Sequence, residues 1–99
     1  MRLVFWDRDG NPIDALTWGR MYGDFEGRVI QRTTVGDVDV LTVWLGVDEY
    51  DRQPPGIFGT VIHRGTSVDH ETRSATEAEA LVAHRVTVHY VQTTRRRDR

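Results

Sequence analysis

The sequence predicts an α+β domain: a small, mostly antiparallel sheet of about four strands, in the order β-α-β-β-β-α, packed with a C-terminal helix. Three observations carry this. Residues 38–62 hold the densest apolar material, in two runs rich in β-branched and aromatic residues, separated by a polar break at 48–53 and by Pro54-Pro55-Gly56. Thr76-Glu77-Ala78-Glu79 is a capping box, in which hydroxyl and carboxylate each satisfy a free backbone N–H at a helix start. After it, Ala78, Leu81, His84, Val88 and Val91 recur at helical spacing.

The elements follow in order. Leu3 to Trp6 is a short strand ended by Asp7-Arg8-Asp9-Gly10-Asn11-Pro12, a tight turn in which Asp9-Gly10 supplies the positive-φ position and Pro12 stops the strand. Asp14 is an N-cap for a short helix with Leu16, Trp18, Met21 and Tyr22 as packing residues, closed by Gly23, Asp24 and Glu26. Residues 28–35 form a strand that is polar on one side and belongs towards an edge. Val35-Gly36-Asp37-Val38 is a hairpin turn leading into the central strand.

That central strand is apolar on both faces, with Leu41, Val43 and Leu45 on one and Val38, Val40 and Trp44 on the other. Such a strand needs cover on both sides, and one or two helices cannot supply it. The second face therefore meets another subunit, lines a ligand site, or lies under a loop. Beyond the strand ending at Ile62, residues 66–74 read as a polar loop. Residues 86–91 alternate like a strand as well as fitting a helix; the expectation is one helix to about residue 91.

At 99 residues the chain is one domain, expected over 1–92, with 93–99 as an Arg-rich disordered tail. No cysteine is present, which excludes disulfides and thiolate metal sites and fits a reducing cytosol. No apolar run approaches a bilayer span, and the N-terminus lacks the apolar region of a signal peptide, so no membrane association is expected. The cations are all arginine, a mark of GC-rich coding. The final five residues carry a formal +3 and leave −5 on residues 1–94. An acidic body is a poor nucleic-acid platform, so phosphate contact is expected only weakly, through Arg95, Arg96 and Arg97.

Several phrases stand together: Thr42-Val43-Trp44-Leu45-Gly46, then Pro54-Pro55-Gly56-Ile57-Phe58, then residues 74–81 as Ser-Ala-Thr-Glu-Ala-Glu-Ala-Leu, with His84 three positions on. In combination, over roughly residues 4–90, these resemble a group of small proteins of tailed bacteriophages and prophages. The chain departs from that group at Gly59, where the group has glutamate, at Arg73 and Ala75 around the serine, and at Val82. The resemblance implies a phage origin, with an actinobacterial host fitting the arginine usage, and it implies no particular chemistry.

Catalytic constellations are thin. Asp7-x-Asp9-Gly10 after an apolar strand looks like the first motif of haloacid-dehalogenase-type phosphatases, but no lysine exists in the chain and Asn11-Pro12 replaces the usual threonine. A hairpin turn explains these residues better. None of His63, His70, His84 and His89 forms an i, i+4 pair, so no metal is expected, and His84 on the core stripe reads as a structural histidine. No cofactor is expected. The binding candidates are Trp44, Tyr50, Phe58, His63, Arg64 and Arg85, aromatic faces and guanidinium groups suited to an anionic ligand. The reading is a non-enzymatic phage accessory protein that binds a host protein in the host cytoplasm, for host takeover or against a host defence. The alternative is a homo-oligomer that sequesters a nucleotide or other small anionic signal.

Overall fold

The computed structural model describes residues 3–97, with side chains as far as residue 94. It is an α+β fold built on a four-stranded antiparallel sheet. The elements are β1 (Phe5–Trp6), β2 (Pro12–Ile13), α1 (Ala15–Gly23), α2 (Phe25–Arg28), β3 (Val29–Val35), β4 (Val38–Trp44), β5 (Phe58–Arg64), β6 (Ser67–Ser74) and α3 (Glu77–Arg97). The sheet order is β3-β4-β5-β6, with each strand pairing its chain neighbour, while β1 and β2 make a separate two-stranded hairpin.

The first strand is therefore not a member of the main sheet. Pro12, expected to stop it, instead starts its partner: Trp6 pairs with Pro12 and Phe5 with Ile13. The place in the sheet is taken by β6, where the sequence reading puts a polar loop. Gly65, at φ +59°, turns the chain after β5 and returns it as an edge strand. An edge strand is paired along one side only, and here its side chains are almost all exposed, so polar residues suit it. Its pairing is interrupted between Val61 and Ile62, leaving His70 in a bulge at φ +51°.

The predicted single N-terminal helix is two. Asp14 caps α1 through Thr17 N–H, and Asp24 ends α1 and caps α2 through Gly27 N–H. β4 stops at Trp44 rather than at Val47. Leu45 and Gly46 both donate to the Ile57 carbonyl, and Gly46 at φ +73° turns the chain out of the ladder.

α3 settles the ambiguity at 86–91 in favour of helix and runs six residues further than expected, to Arg97. The segment from residue 93, expected as a disordered tail, continues this helix through 97, while residues 98 and 99 lie outside the described residues. Tertiary anchoring decides the outcome: Val91, with Val88 beside it, packs on Val38, Val40 and Ile62. The β-branched threonines of the helix return their hydroxyls to the carbonyl four residues back, Thr87 to Ala83, Thr93 to His89 and Thr94 to Tyr90. The stripe facing the sheet is Ala80, His84 and Val91, buried, with Val88 half-buried beside them, and Ala78 of the expected stripe is exposed.

A second apolar cluster joins Trp44, Ile57, Phe58 and Ala80, with Trp6, Ile13, Trp18, Met21 and Ile30 packed against it. It fixes the N-terminal hairpin and α1 to the Trp44 end of the sheet. Among the described helices, α3 packs on the sheet, whereas α1 adjoins β1 and α2 adjoins β3.

Candidate functional site

Strand alternation sorts the sheet into two faces. Val38, Val40, Thr42 and Trp44 of β4 point to α3, with Ile62, Thr60 and Phe58 opposite them on β5. The other face carries Val29 across from Val43, Arg32 across from Leu41, and Thr34 across from Asp39. It continues on β5 as Gly59, Val61 and His63, and on β6 as Val68, Glu71 and Arg73. No described helix packs on this second face. Leu41 and Val43 belong to neither core cluster yet are buried, and Val29, Leu45 and Val61 are half-buried.

The 47–56 connection meets this face at its Gly59 end. Gly59 has no side chain there, and Leu45 fills the place: a Cβ on Gly59 would lie 3.1 Å from Leu45 Cδ1. Beside it, Arg73 gathers the 47–56 connection. It donates to the carbonyls of Gly56 (3.0 Å) and Val47 (3.4 Å), to Glu49 Oε1 (2.7 Å) and to Glu71. Burial disfavours the guanidinium charge, but the two carboxylates outweigh it and raise the Arg73 pKa. Asp48 closes the same connection, accepting from Gly56 N–H (2.7 Å) and Tyr50 N–H (3.0 Å). Desolvation pushes its carboxyl up, yet these bonds with Arg52 and Arg73 hold it below the ordinary carboxylate range. Neither residue has a structural role in the sequence reading: Asp48 only opens the polar break at 48–53, and Arg73 only marks a departure from the resembling phage group.

The six candidate residues do not converge. Trp44 and Phe58 are core, 1% and 0% exposed, on the α3 side of the sheet. Tyr50 stands in the 45–57 connection, 69% exposed, with the Arg52 guanidinium 5.1 Å from its ring centroid. His63 and Arg64 lie at the opposite end of β5, with His63 on the open face and Arg64 paired to Asp69 at 3.3 Å. Arg85 is exposed on α3. The side chains of Arg95, Arg96 and Arg97 lie outside the described residues. Substituting Arg64 and Arg85 thus touches two separate places. Of the aromatic faces expected for an anion, Trp44 and Phe58 are inside the fold and Tyr50 is on the surface.

Asp7 is a turn cap. Its Oδ1 accepts from the N–H groups of Asp9 and Asn11, both at 2.9 Å, and its pKa is lowered, chiefly by the Asn11 bond. Among the described residues, no three of His, Asp or Glu gather closely enough to hold a metal ion. No helix among them is long and apolar enough to cross a membrane.

His84, on the α3 side, sits at the middle of a buried polar chain. Its Nε2 and Nδ1 lie 2.8 Å from the hydroxyls of Thr33 and Thr42, and Thr42 lies 2.7 Å from the hydroxyl of Thr60. The arrangement ties α3 to three strands. Desolvation lowers the His84 pKa below 6.5. The unfolded chain therefore binds this proton before the folded one does. Stability should be full above pH 6.5 and fall as pH drops below it, until the lowered folded pKa is passed, by at most about 1.4 kcal/mol per pH unit. Urea titrations at intervals between about pH 7 and about pH 5 measure this slope, and His84→Gln should flatten it.

Compared with protein-family models, curated protein sequences and solved structures, the chain has no match.

Proposed function

We propose that the protein works without catalysis, by binding a protein partner through the sheet face opposite α3, as a phage accessory protein in the cytoplasm of its host. The observation that carries this reading is an aliphatic set on a face that no described helix covers: Val29, Leu45 and Val61, half-buried, around Leu41 and Val43, which are 8% and 9% exposed. Arg32 and Glu71 flank it on the level of Leu41 and Val61, and Asp39 and His63 stand two residues further along β4 and β5. An apolar centre with a charged rim is the anatomy of a protein interface, and the mixed rim gives it register. The strand pairing keeps the patch flat and rigid, so a partner binds with little ordering cost. The alternative, sequestration of a small anion, loses two of its stacking residues, Trp44 and Phe58, to the core.

The test is retention of a host protein on immobilised wild type, Val61→Asp and Arg32→Glu. Val61 is half-buried and Arg32 exposed, so both variants should fold. Each is expected to weaken retention at least about tenfold, as for loss of an interface residue worth over 1.4 kcal/mol. Tyr50→Ala, in the connecting loop, is expected to leave it unchanged. Equal retention by wild type and both patch variants would overturn the assignment of this face.

A further inference from the structure

We propose that the outer edge of β3 pairs antiparallel with β3 of a second copy of the chain, making one continuous sheet across a two-fold axis at Thr33. The two edges of the sheet differ. β6 is blunted, its ladder broken at the His70 bulge and its side chains charged at Asp69, Glu71 and Arg73. β3 is the other terminal strand, holds no proline, and keeps an unbroken register over residues 31–35. Among the described residues, no strand pairs with its outer side. An edge of this kind is a template for another strand.

The hairpin between β3 and β4 decides which backbone groups face outward. Val35 and Val38 flank the tight turn, with Gly36 at φ +63°, and so form a hydrogen-bonded pair. Bonded and non-bonded pairs alternate along an antiparallel ladder. Thr33 therefore also bonds to β4, whereas the N–H and C=O groups of Arg32 and Thr34 point away from it. These are the groups a second strand would engage.

The side chains choose the occupant. Arg32 is exposed, is the one charged residue of β3, and makes no ion pair among the described residues. Asp39, across from Thr34 on β4, is half-buried, and its carboxylate holds only the Thr34 hydroxyl, at 2.6 Å, with no cation among the described residues. Centring the pair on Thr33 sets Arg32 of one copy opposite Thr34 of the other, and Gln31 opposite Val35. The two-fold axis repeats each match. Arg32 then extends along the open face towards Asp39 of the other copy, about 10 Å away between Cα atoms, the sum of one bonded and one non-bonded spacing. Each unpaired guanidinium thus meets an unpaired carboxylate. Centring on Arg32 would instead face guanidinium with guanidinium. A foreign strand would have to bring its own acid, whereas a second copy carries one at the required place. The contact is a short backbone ladder with little apolar burial, so the dimer is expected to be weak, dissociating at roughly 10 μM.

The experiment is sedimentation velocity of the full chain from about 2 to about 200 μM, on wild type, Arg32→Glu, Asp39→Arg and the variant carrying both. Wild type is expected to shift from one chain to two across this range. Each single variant should dissociate at least about tenfold more readily, and the charge swap should restore the dimer. Thr34→Pro should stay a single chain with unchanged circular dichroism, because its N–H faces outward and gives nothing to the β4 ladder. Register is read by chemistry, since the chain has no cysteine of its own. Thr33→Cys should oxidise to a linked pair, because residues facing one another on the axis stand about 4.5 Å apart, and Gln31→Cys should not. A single wild-type chain at about 200 μM overturns the proposal and leaves this edge to a foreign strand. Dimerisation of Thr34→Pro like wild type overturns it as well. A swap that restores nothing, or linking through Gln31→Cys, overturns the register. Arg32 borders both this edge and the sheet face, but Val61 belongs to the face alone, so Val61→Asp should dimerise like wild type. If Thr34→Pro dimerises and Val61→Asp does not, the sheet face is the self-contact, and both this proposal and the host-partner reading fail.

Discussion

His84→Ala is expected to destabilise the protein by about 3 kcal/mol, measured as the shift in urea unfolding. The size comes from two effects acting at one place. Removing the imidazole opens a cavity under α3, where His84 is 1% exposed and wedged between helix and sheet. It also takes a partner from the hydroxyls of Thr33 and Thr42, each 2.8 Å from a ring nitrogen. Thr42 keeps its 2.7 Å bond to Thr60, so the chain is shortened rather than abolished. Thr42→Val separates the two effects, because it keeps the shape and deletes the hydroxyl. It should cost about 1–2 kcal/mol by leaving His84 Nδ1 and Thr60 each short of a partner. A loss below about 1 kcal/mol for His84→Ala would mean that the polar chain contributes little beyond its desolvation cost.

Gly46→Ala is expected to cost about 3 kcal/mol, with about 1 from the backbone and about 2 from overpacking. Gly46 stands at φ +73°, where an L side chain is strained whatever the space. Its Cβ would meet Trp44 Cζ2, as well as Trp18 Cδ1 at 2.7 Å and Trp18 Nε1 at 2.8 Å. Neither indole can step aside. Trp44 is 1% exposed in the core, and Trp18 is held by its N–H bond to the Leu45 carbonyl at 2.9 Å. Gly10→Ala is the matched control. Gly10 has φ +86° and open space around it, so only the backbone cost of about 1 kcal/mol should appear. Thermal unfolding of both variants gives the difference that belongs to packing. Equal shifts would mean that the tryptophans yield.

The capping box shows how local chemistry becomes legible. Thr76 accepts from Glu79 N–H at 3.2 Å and Glu79 reaches back to Ala75 N–H at 3.3 Å, so the start of α3 follows from four residues of sequence. The cap at Asp14 and the turns at Gly10 and Gly36 are of the same kind, since each is decided within a few residues. The two-faced apolar run of β4 likewise announced a central strand. The end of α3 was not decided locally. Residues 86–91 satisfy both periods, and only burial of Val91 against Val38, Val40 and Ile62 chooses between them.

β6 fails in the other direction. Ser67 to Ser74 has little apolar content because an edge strand needs little, and pairing with β5 supplies what its side chains lack. The site residues divide in the same way. Aromatic and arginine types near one another in sequence suggested a shared pocket, but alternation along β4 and β5 sent Trp44 and Phe58 inward and His63 outward. Sequence distance of a few residues becomes the full length of a strand between Phe58 and Arg64.

What the sequence by itself determined is the class of the fold, the hairpin joining β3 to β4, the capped start of α3 and the structural place of His84. These rest on short-range periodicity and on backbone groups satisfied by near neighbours. Tertiary structure alone decided which strands share the sheet, how far α3 runs, and that Arg73 rather than Arg64 or Arg85 is the arginine drawn into the fold. Those outcomes depend on contacts between residues far apart in the chain: Arg73 with Glu49 and Gly56, His84 with Thr33 and Thr42. Their free energy exists only once the chain has already come together.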